Sequence, residues 1–167
     1  VDPEQQLLLG YPAPDGHVSG YYSSNVSKAD IDFVQEFLVD RGISPLNTRL
    51  LKNSNGSYTV LIASSLVKPS TTSTHKGKEI TIEYGDFKEC MEKIASHLEK
   101  AIEFAANDNQ KKMMEKYVEP FRTGSIDAHK ESQKWWIKDV GPIVETNIGF
   151  IETYRDPAGI FSSNLTV

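Results

Sequence analysis

The spacing of apolar residues constrains this chain more than any other feature. After Asp86 they recur at helical intervals: Phe87, Met91, Ile94, Leu98, Ala101, Ile102 and Ala105 trace one face. Met113, Met114, Tyr117, Val118 and Phe121 trace the next, and a third helix is predicted over Ile126–Ile137. Asp86 stands where an N-cap is needed for the first of these, and Asn107-Asp108-Asn109 interrupts the pattern and offers the cap of the second. Gly124 is placed to stop the second helix. A Met stripe at this spacing reads as core rather than as a cofactor site.

The earlier part of the chain has a different pattern. Gly10, Pro12, Pro14, Gly16 and Gly20 mark an irregular lead-in, with a short strand expected near Val18–Tyr22. Ser27 and Asp30 have the spacing of a capping box before the stripe Ile31, Val34, Phe37 and Leu38, and Gly42 closes that helix. Thr48–Lys52 and Ser57–Ser64 read as a hairpin turned at Asn53-Ser54-Asn55-Gly56. Pro69–Lys78, polar and rich in Ser and Thr, reads as a mobile loop, and Glu79–Tyr84 as a third strand. Gly141-Pro142 turns the chain into an extended apolar segment, Ile143 to Arg155. There is no internal repeat. The expected fold is therefore α+β, a small mostly antiparallel sheet or partial β-barrel packed by several helices, with residues 1–160 as one unit and 161–167 as a tail.

The 167 residues, 38% hydrophobic and 25% charged, suit a globular protein with a proper core. A net charge of −5 argues against general affinity for nucleic acid or an anionic membrane. No apolar run is long enough to span a bilayer. Cys90 is the only cysteine, so an intrachain disulfide is excluded. It falls within a helical pattern, reads as a small structural residue rather than a nucleophile, and fits a reducing, cytoplasmic setting. The opening Val1-Asp2-Pro3-Glu4 suggests a piece of something larger.

No catalytic apparatus is complete in the sequence. A zinc peptidase needs two imidazoles one helical turn apart and a carboxylate to activate water. The histidines are His17, His75, His97 and His129, and no two have that spacing. No phosphate-binding Gly loop and no nucleophile elbow are present. Paired carboxylates such as Glu79 and Glu83 read as solvated faces.

One block stands apart. Trp135-Trp136-Ile137-Lys138-Asp139-Val140-Gly141-Pro142-Ile143-Val144-Glu145-Thr146-Asn147-Ile148-Gly149-Phe150-Ile151-Glu152-Thr153-Tyr154-Arg155-Asp156-Pro157-Ala158-Gly159 resembles the WIxDxGPxVExxIGFIExYRDPxG block of the dipeptidyl peptidase III family of zinc peptidases. Weaker matches lie in Gly124–Lys130, Asn47–Lys52 and Gly20-Tyr21-Tyr22. The resemblance runs from about Gly10 to Gly159 and is strongest to the fungal members.

That resemblance implies a cytosolic, two-lobed aminopeptidase that removes dipeptides from short peptides. Zinc sits on an HExxGH helix in one lobe, and a β-barrel in the other lobe presents the peptide. This chain is similar to part of the barrel lobe, without the zinc lobe, and departs from the family after Ile160. By the same resemblance, Glu152 is implied in holding the substrate's N-terminal ammonium, Tyr154 in stabilising the oxyanion, and Trp136 in lining the cleft. On an extended strand, Ile148, Phe150, Glu152 and Tyr154 share one face. Pairing of Glu152 with Arg155, with Tyr154 as a rim aromatic, is the competing reading.

The expected function is thus a fragment of a zinc-dependent dipeptidyl peptidase contributing to the peptide cleft, inactive alone and binding no metal itself. Its partners would be short peptides with a free N-terminus and the missing zinc lobe. The alternative is a non-enzymatic peptide- or protein-binding module. A third is an unrelated hydrolase assembled from scattered residues.

Overall fold

The computed structural model describes residues 10–149 and 156–158. Its elements in chain order are α1 (Lys28–Asp40), β1 (Thr48–Lys52), β2 (Tyr58–Ala63), β3 (Thr71–His75), β4 (Lys78–Asp86), α2 (Lys88–Ile102), α3 (Asp108–Thr123) and α4 (Ile126–Trp136). The class is α+β, as the spacing of apolar residues implies. Contacts gather in two compact units: residues 1–62, 69–83 and 152–164, and residues 63–68, 84–151 and 165–167.

In the first unit, α1 begins with the expected capping box: Ser27 accepts from the Asp30 amide while the Asp30 carboxylate accepts from Ser27. The sheet is open, in the order β1-β2-β4-β3, with both outer pairs antiparallel. The central pair β2–β4 runs parallel, so the sheet is mixed. One face carries Leu50, Tyr58, Val60, Ile62, Ile80 and Ile82, all buried, and α1 adds Ile31, Val34, Phe37 and Leu38 to the same core. On the opposite face Thr59 and Ala63 of β2 are buried as well, so both faces of that strand are covered, while Glu79 and Glu83 of β4 face water.

Two expectations about this unit need correction. Pro69–Lys78 is not a loop, because Thr71–His75 is an edge strand paired with β4. Lys76 and Gly77, both with positive φ, join the two strands in the two-residue turn that suits strand twist. The β1–β2 hairpin does turn at the expected Asn53–Gly56, with Gly56 but not Asn55 at positive φ. Near Val18–Tyr22 there is a single bridge, Tyr22 to Leu50, rather than a strand.

In the second unit, α3 packs against both α2 and α4. Ala95, Met113, Tyr117, Val118, Phe121 and Ile148 form its core, with Met91, Ile94, Leu98, Ile102, Met114, Trp135 and Trp136 packed around it. Asn107 caps α3, and Gly124 ends it in the left-handed conformation. Asp86 does not cap α2. That position is taken by Phe87, which itself has φ 53° and makes no side-chain cap bond. Cys90 lies exposed on α2, outside the core. No helix among the described residues is long and apolar enough to cross a membrane.

Candidate functional site

The segment singled out by its sequence leaves α4 and is held first by side chains of the helical unit. Tyr117, fully buried on α3, is the hub. Its Oη donates to Asn147 Oδ1 (3.2 Å) and accepts from the Ile148 amide (3.1 Å) and from Gln133 Nε2 (3.1 Å). Gln133 Nε2 also approaches the Ile148 carbonyl at 3.4 Å, and Gln110 Nε2 donates to the Val144 carbonyl at 3.3 Å. Backbone groups of an extended segment must be paired. Here residues 144–149 find partners on helices instead of in a ladder, so this described part of the expected extended run is not a strand. The ring of His129 stacks on Tyr117 with centroids 6.4 Å apart, and burial lowers its pKa, favouring the neutral imidazole.

Residues 156–158 are held within the sheet unit. The buried Asp156 carboxylate accepts from Tyr22 Oη and, through Oδ1, from the Ala158 amide at 3.1 Å. Tyr11 Oη donates to the Pro157 carbonyl at 3.3 Å. Tyr22 is itself fastened to β1, since the Ser23 amide donates to the Leu50 carbonyl (3.1 Å) and the Leu50 amide to that of Tyr21 (2.8 Å). Burial, then the hydrogen bond to Asp156, pushes the Tyr22 phenol far above its ordinary pKa, so it stays a neutral donor.

Glu152 and Tyr154 lie outside the described residues. Trp136 is the last residue of α4 and is half-buried against the helical core. Its neighbour Trp135 has Lys112 Nζ 4.5 Å and Lys138 Nζ 4.1 Å from its ring centroid. The polar residues that fix the segment, Tyr22, Gln133 and Asp156, escaped sequence reasoning as site residues. Tyr117 was legible only as core. Tyr22 and Asp156 do fall in the matching stretches, which is the one signal that pointed to them.

The zinc implied by the resemblance can be tested against the side chains present. Among the described residues, Glu36, Asp40 and His75 form the one cluster with three ligand types close enough to share an ion. It contains a single imidazole, and Glu36 is already paired with the Lys76 ammonium, whose Nζ lies 2.7 Å from Glu36 Oε2. That hydrogen bond also lowers the Glu36 pKa. The cluster does not fit a His-pair peptidase zinc.

Comparison with known proteins agrees with the block read from the sequence. Residues 1–163 match the model of peptidase family M49. Dipeptidyl peptidase 3 of Dictyostelium discoideum is 50% identical over 148 residues, covering 87% of this chain and 21% of that protein. Dipeptidyl peptidase 3 of Homo sapiens is 40% identical over 156 residues (85% and 21%), and that of Nematostella vectensis 39% over 161 residues (86% and 22%). The chain thus spans about one fifth of the length of these curated relatives. It belongs to peptidase family M49.

Proposed function

We propose that this chain supplies peptide-binding residues of a dipeptidyl peptidase 3-type enzyme and does not cleave peptides by itself. Its membership of the family over residues 1–163 carries the reading. Glu152 pairs with the substrate's free ammonium, because an ionised acceptor and donor make the stronger class of hydrogen bond. Tyr154 donates its phenol O–H to the oxyanion that forms when the peptide carbonyl is attacked. Trp136 offers an apolar wall. The zinc of such an enzyme is held by residues other than those of this chain, whose four histidines lack the required pairing. A cytoplasmic setting is supported by the single cysteine, and kinship with fungal members by the wording of the Trp135–Gly159 block.

The test is a titration of the 167-residue chain with a tetrapeptide bearing a free N-terminus and with its N-acetylated twin. The free amine should bind about 10-fold or more tightly, the worth of a hydrogen bond between charged groups, and Glu152→Gln should remove that preference. Equal affinity for both peptides would end the ammonium assignment. Release of dipeptide by the chain with added zinc would overturn the claim that it does not cleave.

A further inference from the structure

We infer that Ile137, Val140, Ile143 and Val144, together with Phe104, form an apolar surface that packs against a part of the peptidase lying outside this chain. This surface goes beyond the peptide-binding reading and rests only on membership of the family. All five residues belong to the helical unit and all are exposed, Phe104 by 83%, Val140 by 92% and Ile143 fully. Single exposed apolar residues are ordinary on a protein surface. Here four stand between positions 137 and 144, and Phe104 lies in the turn that leads into α3, the helix that holds them. A cluster of this kind, on the order of a few hundred Å² of apolar surface, marks an interaction site.

The segment is fastened through its polar groups, and its apolar side chains are left to water. From the cap and first turn of α3, Asn107 Nδ2 donates to Asp139 Oδ1 (2.8 Å), Asn109 Nδ2 to the Lys138 carbonyl (3.1 Å) and Gln110 Nε2 to the Val144 carbonyl (3.3 Å). Between these points Gly141 takes a left-handed φ of 65°, and Pro142 fixes the next φ, so the chain turns sharply between Val140 and Ile143. A Cβ added to Gly141 would meet nothing within 4 Å, so backbone conformation and not space requires the glycine there. Side chains presented on a backbone already fixed lose less freedom on docking.

The occupant follows from charge and from length. Residues 137–145 carry Lys138 against Asp139 and Glu145, in a chain of net charge −5, and so lack the basic surround that an anionic membrane would select. The chain spans 21% of its Dictyostelium and human relatives. About four fifths of such a protein therefore lies outside it, and contacts between parts of one chain bury about 600–1,500 Å². An apolar face on the remainder of the peptidase is the partner this surface fits.

Hydroxyl-radical footprinting of the 167-residue chain and of intact Dictyostelium dipeptidyl peptidase 3 tests this. In the chain, Phe104, Ile137, Ile143 and Val144 should be oxidised at the rate of open side chains. In the intact relative the aligned positions should react no faster than the one aligned with the wholly buried Leu50. Equal reactivity in both proteins would overturn the docking surface. So would protection in the chain that grows with its concentration, which makes a second copy the occupant, or protection by a tetrapeptide with a free N-terminus, which places the surface in the peptide site. Ile137→Gln combined with Val144→Gln should move the Tm of the chain by no more than about 2 °C, as a surface change does. At the aligned positions of the intact relative the pair should lower Tm by several times as much, because apolar burial is lost there. A large fall in the chain itself would show that the two side chains serve its own core, and would also overturn the docking surface. Neither measurement responds to a preference for free amines, so failure of the peptide-binding reading appears separately, in the paired titration.

Discussion

Replacing Asp30 by Asn removes one charge from the core edge of the sheet unit and leaves the side chain's shape nearly unchanged. In the parent chain the carboxylate accepts from the Ser27 amide (2.9 Å), Ser27 Oγ (2.7 Å), Lys52 Nζ (2.9 Å) and Tyr58 Oη (2.5 Å). Burial of Asp30 opposes its ionisation, yet the bonds from Ser27, Tyr58 and Lys52 outweigh that and hold its pKa below the ordinary carboxylate range. Tyr58 is pushed up to about 12, by burial first and then by Asp30. An amide keeps one acceptor oxygen, so either Tyr58 or the Ser27–Lys52 group must face an NH₂.

Breaking a buried ion pair costs about 3–5 kcal/mol where neither partner can reach water. The Lys52 side chain is 30% exposed and can recover part of its hydration, which lowers the expectation to about 2–3 kcal/mol. For a chain of this length that is a fall in Tm of roughly 4–12 °C. Amide exchange in α1 and β2, which carry Asp30 and Tyr58, follows this site directly.

The dependence on pH carries a definite sign. Asp30 has a lower pKa folded than unfolded, so its stabilisation is complete above the unfolded value and is lost as pH falls through the folded one. The difference between parent and variant should be level above about pH 5 and narrow steadily below about pH 4. A difference under about 0.5 kcal/mol, the size of an ordinary surface change, would refute the reasoning. So would one that stays flat between about pH 4 and pH 2.

Two further perturbations probe the helical unit. Tyr117→Phe leaves Asn147, Gln133 and the Ile148 amide without their shared partner, and should cost about 1–3 kcal/mol in urea unfolding followed by tryptophan fluorescence. No change in midpoint would mean that water replaces the hydroxyl. His129 is kept neutral by burial, so its folded pKa lies below the unfolded one. The unfolded chain then binds the extra proton more readily, and stability should decline as pH falls below about 6.5. His129→Gln should flatten that part of the profile, and an unaltered slope would assign the decline to other groups.

The sequence alone determined the features governed by neighbouring residues. The Ser27–Asp30 box, a cap within Asn107-Asp108-Asn109 and the stop at Gly124 each act within a turn or so of backbone, and each was legible. So were the helical stripes, because the side that is buried recurs with the helix period. The family block Trp135–Gly159 was likewise visible as a string of residues.

Tertiary structure decided what depends on partners far along the chain. Thr71–His75 carries no apolar alternation, since an exposed edge strand needs only a neighbour's backbone, and β4 provides it. The left-handed Phe87 follows from how β4 must turn into α2, which no cap signal announces. Residues 144–149, expected only as part of an extended segment, join no ladder and are held by Gln110, Tyr117 and Gln133. Asp30 reads only as a capping-box acid and Asp156 only as a member of the family block until the fold brings Tyr58 and Lys52 to one and Tyr22 to the other. A buried charge is specified by its donors, and those donors lie many residues away along the chain.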